Sequence, residues 1–529
     1  MTRRTTRPAR STRRAVRPPR DLRRILIANR GEIALRVVRA CRDLGMSPVI
    51  ACSEADRDSL PVRLADASQV IGPAPAAQSY LDIDAVLDAA RRLEADAVHP
   101  GYGFLAENGD FAEAVERAGL IFIGPPPAAM RALGDKVEAR RLMQKCGVPI
   151  VPGLTDRAAD GAAIAAFARR AGYPIILKAA AGGGGRGMRV VRAASGLEPA
   201  LRAARSEAVA SFGDDGVYAE SFLEGVRHVE VQVIADAHGG ALHFGERECS
   251  LQRRHQKLVE EAPSTAITPA LRRRLGGLAV KVVRASGYRN AGTVEFLLDR
   301  RGRPWFMEVN ARIQVEHPVT EMVFGIDLVR MQIEVAGGLR LGAQSAVKLP
   351  AGAAIECRIL AEDPVQGFRP CPGRIEALRL PSGPGVRVDT ALQPGDEISL
   401  HYDALIAKLI TWGADRASAL ARMRRALLEF QVVGVRTTIP FHLEVLAAAD
   451  FTSGDFDIGW VDRRMPALRA GLEITGPDDA AAAAVAAVMA FEEGRRGREP
   501  GSAGSALSPW AAAGRRAQMQ GRQPRGPWA

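Results

Sequence analysis

The sequence M-E-V-N-A-R-I-Q-V-E, residues 307–316, alternates apolar and polar side chains over its whole length. Because successive side chains of an extended strand point to opposite faces, the pattern predicts a strand with one buried face. The polar face would carry Glu308, Asn310, Arg312, Gln314 and Glu316. An ordinary amphipathic strand is the alternative, but a merely solvated face usually carries Lys, Thr and Ser. Carboxylates, amides and an arginine together favour a functional strand.

A second strand-like run, T-V-E-F-L-L-D at 293–299, lies just upstream. A two-residue turn with Gly at its second position is typical of a β-hairpin, and centring it on 301–302 sets Glu295 opposite Glu308. Like charges at that spacing repel, and a bound divalent cation would remove the repulsion. These carboxylates and the amide oxygen of Asn310 form an oxygen-only ligand set that suits Mg²⁺ or Mn²⁺. A one-residue slip in register would break this set.

A glycine-rich loop at 182–187 follows Lys178, the last residue of the apolar run I-I-L-K. Glycine lets backbone N–H groups close around phosphate oxygens, and a lysine adds a point charge. Because the loop lies between two strand-like runs, a mobile flap is favoured over a flexible linker. It matches neither the P-loop pattern nor a G-x-G-x-x-G that opens a helix. Lys136 is a second candidate phosphate-binding lysine, with a solvated charge at a helix start as the alternative.

Long motifs occur together and in a fixed order along the chain. They are I-A-N-R-G-E-I-A-L-R (27–36), H-P-G-Y-G-F-L-A-E-N (99–108), G-D-K-V (134–137), R-H-V-E-V-Q (227–232), E-R-E-C-S-L-Q-R-R-H-Q-K (246–257), M-E-V-N-A-R-I-Q-V-E-H-P-V-T-E (307–321) and E-C-R-I-L-A-E-D-P (356–364). With these motifs the chain strongly resembles, over roughly 22–462, the biotin carboxylase component of biotin-dependent carboxylases, within the ATP-grasp superfamily. Several long motifs in order are more specific than any one of them.

The resemblance implies a multidomain α/β and α+β fold. Its parts would be a disordered arginine-rich tail (1–21), a Rossmann-like parallel α/β domain (22–135), an ATP-grasp domain (136–350) with a mobile glycine-rich lid at about 153–225, a β-rich C-terminal domain (351–462) and a low-complexity tail (463–529). It also implies a reaction in two steps. Bicarbonate attacks the γ-phosphate of ATP to give carboxyphosphate and ADP, and the carboxyl group then passes to N1′ of biotin.

Roles for individual residues follow from the same resemblance. Glu316 matches the general base for bicarbonate, and Arg358 matches the group that stabilises charge on biotin. Residues expected at ATP are Lys136, Lys178, Gly183, Gly184, Gly185, Gly187, Glu220, Leu223, His228, Gln252 and His255. Residues expected at bicarbonate or biotin are Lys257, Arg312, Gln314, Val315, Glu316, Arg358 and Tyr102. The alternative for the histidines is a structural hydrogen bond, and for Tyr102 it is simple packing.

The chain contains no M-K-M-type motif, to which carrier domains attach biotin. The resemblance therefore implies three partners: a biotin carboxyl carrier protein or domain, carboxyltransferase subunits, and a second copy of the chain in a homodimer. His317-Pro318 favours an acetyl-CoA or other acyl-CoA carboxylase, with a role in fatty acid biosynthesis. The alternatives are another ATP-grasp ligase that forms an acylphosphate and a catalytically inactive scaffold.

The net charge of +12 is concentrated at the two ends of the 529-residue chain. Residues 1–24 carry ten arginines and one acidic residue, and 461–529 carry ten arginines and seven acidic residues, so 25–460 is neutral. A neutral core argues against nucleic-acid binding. The leader superficially resembles a transit peptide, but without an apolar stripe it indicates a disordered tail or an over-extended start site. No apolar run is long enough for a membrane helix, and six scattered cysteines favour a reducing, cytoplasmic compartment.

Overall fold

Short apolar runs separated by amphipathic helices build the first sheet of the protein. The computed structural model describes residues 22–154, 160–180 and 188–472. The first elements are β1 (Arg24–Ile27), α1 (Gly31–Asp43), β2 (Ser47–Cys52), α2 (Leu60–Leu64), β3 (Ala67–Val70), α3 (Ile83–Arg92), β4 (Ala97–His99), α4 (Gly109–Arg117), β5 (Ile121–Phe122), α5 (Pro127–Gly134) and α6 (Lys136–Lys145). The five strands pair in parallel in the order β3-β2-β1-β4-β5. This confirms the predicted parallel α/β unit.

A small antiparallel sheet with its own core follows. Its elements are α7 (Gly161–Ala171), β6 (Ile175–Ala179), β7 (Arg189–Val191), α8 (Leu197–Phe212) and β8 (Val217–Ser221). The strand order is β7-β6-β8, and Ile164, Phe167 and Leu177 pack in the core that the helices cover. The four glycines predicted to bind phosphate lie at 183–187, outside the described residues, as do the tails at 1–21 and 473–529.

The next stretch supplies most of a large antiparallel sheet. Its elements are β9 (Arg227–Ala235), β10 (Ala241–Arg253), β11 (Gln256–Ala262), α9 (Pro269–Ala285), β12 (Asn290–Leu298), β13 (Pro304–Asn310), α10 (His317–Phe324) and α11 (Leu328–Ala336). Along β9, Val229, Val231 and Val233 pack in an apolar core that α9 covers. The alternate residues, Glu230 and Gln232 among them, are buried on the opposite face. Strand alternation thus gives this sheet one apolar and one polar buried face.

The C-terminal region adds strands to the same sheet. Its elements are β14 (Ala353–Leu360), β15 (Glu362–Asp363), β16 (Arg369–Pro370), β17 (Gly373–Arg374), β18 (Ala377–Arg379), β19 (Val386–Asp389), β20 (Glu397–Ile398), β21 (Leu405–Gly413), α12 (Arg416–Glu429), β22 (Gln431–Val433), α13 (Ile439–Ala447), α14 (Ala449–Ser453) and α15 (Trp460–Leu472). The eight-stranded order is β13-β12-β9-β10-β11-β14-β21-β19. One sheet therefore runs across the predicted domain boundary at 350, which stays a prediction. Helix α15 likewise spans the predicted boundary at 462.

Short 3₁₀ turns occur at Glu54–Asp56, Ala76–Gln78, Ala194–Gly196 and Gln344–Ala346. Within the described ranges, no helix has both the length and the apolar character needed to span a membrane. The six cysteines lie in the described part of the chain and none forms a disulfide.

Candidate active site

The hairpin of β12 and β13 places Glu295 directly opposite Glu308, which confirms the predicted pairing. The register shifts by one residue at a bulge beyond this pair, where Phe296 lies opposite Phe306. The turn is also longer than predicted. The loop spans 299–303, and Asp299 Oδ1 accepts hydrogen bonds from the backbone N–H groups of Arg301 and Arg303, each at 2.9 Å. The bulge offsets the longer turn, so the two carboxylates still face each other.

The predicted strand through Glu316 is wrong, because β13 ends at Asn310. Residues 311–316 form an irregular segment before α10. The backbone N–H of Ala311 donates to Glu107 Oε1 at 2.9 Å instead of entering a strand ladder. Glu316 is fully buried and directly precedes α10. The polar residues of this segment therefore line a buried site and not a solvated strand face.

Glu295 lies at the centre of several polar contacts. Its Oε1 accepts hydrogen bonds from Asn310 Nδ2 at 2.7 Å and Gln314 Nε2 at 3.1 Å, and it lies 3.1 Å from Lys257 Nζ. His228 Nε2 lies 2.9 Å from Oε2. Burial acts to raise the pKa of Glu295, but Lys257 and His228 outweigh it and hold the pKa far below its ordinary value. Glu295 is therefore ionised.

Glu308 has much less compensation. Burial and the charge of Glu295 raise the pKa of Glu308, and the ammonium of Lys136 opposes them. Within the described residues its carboxylate accepts no hydrogen bond. Two facing carboxylates, one of them without a hydrogen-bond donor in the described residues, fit a hard divalent cation. Asn310 turns its Nδ2 toward Glu295 and its Oδ1 toward Arg312, so its amide would have to turn over to offer oxygen to that cation.

Lys257 fills the space among three buried carboxylates. Its Nζ lies 2.6 Å from Glu230, 2.6 Å from Glu316 and 3.1 Å from Glu295. Burial lowers the pKa of Lys257, but these carboxylates raise it well above its ordinary value. His228, Glu230 and Glu295 are close enough together to suggest a metal site. The charged ammonium of Lys257 already lies among these carboxylates, so the facing pair of Glu295 and Glu308 fits a divalent cation better than this group does.

Glu316 pairs with two cations. Its Oε1 lies 2.6 Å from Lys257 Nζ, and its Oε2 accepts a hydrogen bond from Arg358 Nη2 at 3.0 Å. Burial acts to raise the pKa of Glu316, but Lys257, Arg358 and Arg247 outweigh it and hold the pKa well below its ordinary value. Glu316 is thus in the ionised form that a base requires. It does not form an ion pair with Arg312.

Arg312 is held by neighbours on its own segment and by the N-terminal unit. Its Nε donates to Glu107 Oε2 at 3.0 Å, and its Nη1 donates to Gln314 Oε1 at 2.9 Å. Because Gln314 also donates to Glu295, the guanidinium and the candidate metal carboxylate are joined through one amide. The structure therefore brings the residues predicted at bicarbonate into one cluster.

The lysines predicted at phosphate lie beside the polar face of the large sheet. Lys178 Nζ donates to Glu220 Oε2 at 2.7 Å, and Arg140 Nη1 donates to Glu220 Oε1 at 2.6 Å. Burial acts to raise the pKa of Glu220, but these two cations outweigh it and lower the pKa. Burial lowers the pKa of Lys136, and Glu308 acts in the opposite direction. Glu220 thus anchors Lys178 through its side chain, a role that the sequence did not predict.

Three other residues predicted at ATP have fewer contacts. Gln252 lies opposite Lys257 across β10 and β11. His255 lies at the tip of that hairpin with φ +67°, and burial lowers its pKa. Leu223 is half-buried just after β8. In the described part of the chain, neither the Gln252 nor the His255 side chain forms a hydrogen bond.

Tyr102 and Val315 are linked through Lys408, which the sequence analysis missed. The Tyr102 hydroxyl donates to Glu32 Oε1, which lies 3.0 Å from Lys408 Nζ. The same Nζ donates to the carbonyl oxygen of Val315 at 2.9 Å. Lys408 is fully buried. Lys408, on β21, therefore links the N-terminal parallel α/β unit, which contains Glu32, to the segment that precedes Glu316.

Arg247 is a second residue that sequence reasoning missed. It is fully buried, and its Nε donates to Glu230 Oε1 at 2.5 Å. Its other nitrogens donate to Gln232, Thr320 and Thr293 at 2.7–3.0 Å. The signal was available, because Glu230 lies in the motif R-H-V-E-V-Q and Arg247 in the motif E-R-E-C-S, and the two opposite charges pair across β9 and β10.

Comparison with known proteins agrees with this geometry. Three family models match the chain: "Biotin carboxylase, N-terminal domain" at 21–130, "Carbamoyl-phosphate synthase L chain, ATP binding domain" at 135–344, and "Biotin carboxylase C-terminal domain" at 356–463. Biotin carboxylase 1 of Bacillus subtilis is 49% identical over 440 residues, which cover 83% of this chain and 98% of the relative.

Solved structures agree as well. A biotin carboxylase from Campylobacter jejuni, solved as a β,γ-ATP complex, superposes with a TM-score of 0.82 at 46% identity and covers 84% of this chain and 99% of that one. The biotin carboxylase domain dimer of Hydrogenobacter thermophilus 2-oxoglutarate carboxylase, solved with MgADP, ADP and bicarbonate, gives 0.82 at 44% identity, with coverage of 85% and 98%.

The fold and the site together define an ATP-grasp enzyme. Lys136, Lys178, Glu295 and Glu308 all lie within residues 135–344, the segment that matches the ATP-binding family model. The family matches before and after that unit, and the relatives that cover the chain, are more specific. The chain belongs to the biotin carboxylase family.

Proposed function

We propose that this protein uses ATP and bicarbonate to carboxylate N1′ of biotin held on a separate carrier. The observation that carries this proposal is one buried cluster in which Glu316 contacts both Lys257 and Arg358, and Lys257 also contacts Glu295. A cation for a small anion (Lys257), a base (Glu316) and a cation for biotin (Arg358) thus lie within a few ångströms in one cluster. The relatives' printed names and ligands support the same reaction.

In the first step, a bicarbonate oxygen attacks the γ-phosphorus of ATP, and the bond from phosphorus to the ADP oxygen breaks. Lys257 and Arg312 bind the bicarbonate anion, and Glu316 accepts its proton. Lys136 and Lys178 neutralise the phosphates. A divalent cation held by Glu295 and Glu308 would supply further charge neutralisation when bound. The products are carboxyphosphate and ADP.

In the second step, carboxyphosphate breaks into CO₂ and phosphate, and N1′ of biotin attacks the CO₂ carbon. The N1′ proton leaves to the phosphate just released, which is a strong base. The negative charge that develops on the ureido oxygen is stabilised by Arg358. Arg358 Nη1 has no partner within the described residues and is the nitrogen available for that oxygen. Tyr102 completes the biotin side of the site.

The partners are proposed on the same basis. Because no biotin-attachment motif occurs in the chain, a biotin carboxyl carrier protein or domain supplies the biotin. Carboxyltransferase subunits then pass the carboxyl group to an acyl-CoA, acetyl-CoA in the simplest case. The protein acts as a homodimer in the cytoplasm, where its six free cysteines stay reduced.

ATP cleavage by the purified protein tests this function. We expect ADP formation that requires bicarbonate and is stimulated by free biotin, with carboxybiotin as a second product. Another ATP-grasp ligase would instead require a different carboxylic acid and an amine. ATP cleavage that is indifferent to bicarbonate and biotin would refute the proposal.

A further inference from the structure

Two buried glutamates lie opposite each other behind Arg358. Glu260 on β11 pairs with Glu356 on β14 in the strand register, and both are fully buried. Cβ atoms of directly opposite residues lie about 4.5–5.5 Å apart, a spacing at which like charges destabilise a sheet. We call these two residues the carboxylate pair.

The carboxylate pair lacks the hydrogen bonds that two ionised groups would need. Glu260 Oε1 accepts a hydrogen bond from Arg358 Nε at 2.6 Å. Glu260 Oε2 and both oxygens of Glu356 have no partner in the described residues. Three buried acceptor atoms without donors would be costly. One proton on the pair gives two of these atoms a partner, because a carboxylic acid can donate to the neighbouring carboxylate.

The surrounding charges favour that proton. Burial raises the pKa of Glu356 well above its ordinary value, and Glu260 and Glu316 act in the same direction against Lys408 and Arg358. Burial also raises the pKa of Glu260, but Arg358 and Lys257 act against it, so Glu356 is the member of the pair that keeps the proton.

Helix α10 also packs against β11, β14 and β21. Of its titratable groups, Glu321 already pairs with Arg36 and Arg387. Burial and the positive charges of Lys408, Arg387 and Arg36 all lower the pKa of His317 and hold it well below its ordinary value, so His317 is neutral. No cation on this helix is positioned to ionise the carboxylate pair.

We propose that Glu260 and Glu356 hold one proton between them at neutral pH, so that Glu260 acts as a positioning residue for Arg358. This inference rests on the proposed function of Arg358 at biotin. With one proton, Glu260 keeps a full negative charge and fixes the guanidinium through Nε and Nη2. Nη1 is then left for the substrate. With two protons Arg358 would pair with Glu316 alone, and with none the pair would hold the guanidinium too strongly for Glu316 to share it.

The variants Glu356→Gln and Glu260→Gln separate these states. Glutamine at 356 imitates the protonated acid, so Glu356→Gln should retain the wild-type rate. Glutamine at 260 removes the charge that holds Arg358, and a misplaced catalytic group costs on the order of 10²-fold in kcat for biotin carboxylation. The KM for ATP should not change, because Arg358 contacts no residue predicted at ATP. Glu261→Gln is the matched control, since Glu261 is buried on the same strand but pairs with Arg416.

Infrared spectroscopy supplies a readout that does not depend on activity. The wild-type minus Glu356→Gln difference spectrum at neutral pH should contain the C=O band of a protonated carboxyl group. In the wild type the rate should fall at high pH as the carboxylate pair loses its proton. This fall should be absent in Glu356→Gln. A difference spectrum with only carboxylate bands would overturn the shared proton. A loss of rate in Glu261→Gln equal to that in Glu260→Gln would overturn the positioning role. If the wild type carboxylates no biotin, the proposed function fails while the infrared result still decides the protonation.

Discussion

Glu316→Gln separates proton transfer from charge pairing at the centre of the site. The variant keeps the shape of the side chain but cannot accept a proton. Bicarbonate-dependent ATP cleavage should fall by about 10²–10⁴-fold, the usual contribution of a positioned base. ATP binding should be retained, because Lys136, Lys178, Glu295 and Glu308 are untouched. The rate must be measured at saturating bicarbonate, so that weaker anion binding is not mistaken for slower chemistry.

The same substitution has a structural cost. Glu316 is fully buried, 2.6 Å from Lys257 and 3.0 Å from Arg358, and removal of one partner of a buried ion pair costs about 3–5 kcal/mol. Glu230→Gln is the matched control, because Glu230 is equally buried and lies 2.6 Å from the same lysine. Both variants should lose stability in urea, but only Glu316→Gln should lose the rate.

The pH dependence of stability gives an independent check. Since the pKa of Glu316 is lowered in the folded state, its contribution is present above the ordinary value of 4.5 and is lost as the pH falls. Glu316→Gln should therefore flatten the loss of stability in acid. A near-wild-type rate for this variant at saturating bicarbonate would refute the general-base role and leave Glu316 as a structural partner of Arg358.

The remaining predictions concern the metal, the nucleotide, the interdomain contacts and the carboxylate pair. Glu295→Gln and Glu308→Gln should each raise the Mn²⁺ concentration needed for half-maximal rate, and an unchanged metal response in both would disprove the metal site. Lys178→Met should raise the KM for ATP by about 10–100-fold, the value of one charge-assisted hydrogen bond, whereas an unchanged KM would remove Lys178 from the phosphate site. Lys408→Met should lower the free energy of unfolding by about 3–5 kcal/mol in urea titrations, and a smaller loss would show that its buried pairs contribute little. Glu356, whose pKa is raised well above its ordinary value of 4.5, stabilises the fold below pH 4.5 and loses that contribution as the pH rises through the raised pKa, so Glu356→Gln should flatten this fall; a slope equal to that of wild type would contradict the raised pKa.

The sequence predicted the parts of the site that depend on neighbouring residues. The pairing of Glu295 with Glu308 followed from strand alternation and a glycine turn across a short hairpin. The extension of that strand to Glu316 failed, because the side chain of Glu107, some 200 residues away, takes the backbone N–H of Ala311. Alternation of polar and apolar residues persists in the irregular segment, so the pattern alone could not show where the strand ends.

Lys408 and Glu260, which the sequence did not single out, have partners far away in the chain. Lys408 contacts Glu32 from the N-terminal unit and Val315, and Glu260 meets Glu356 and Arg358 nearly one hundred residues later. No local spacing rule links such positions. Their burial as charged residues is visible only once the strands have been placed in one sheet.

The shared eight-stranded sheet has a consequence for how the chain folds. Strand β11, which carries Lys257 and Glu260, is covered along one edge by β14. A chain that ends before residue 353 would leave this edge unpaired, with backbone groups free to pair with other molecules. During synthesis this edge of the ATP-grasp strands would stay exposed until β14 and β21 have been synthesised. A fragment of residues 22–350 should therefore aggregate when expressed alone, and a separate 351–472 chain supplied at the same time should keep it in solution.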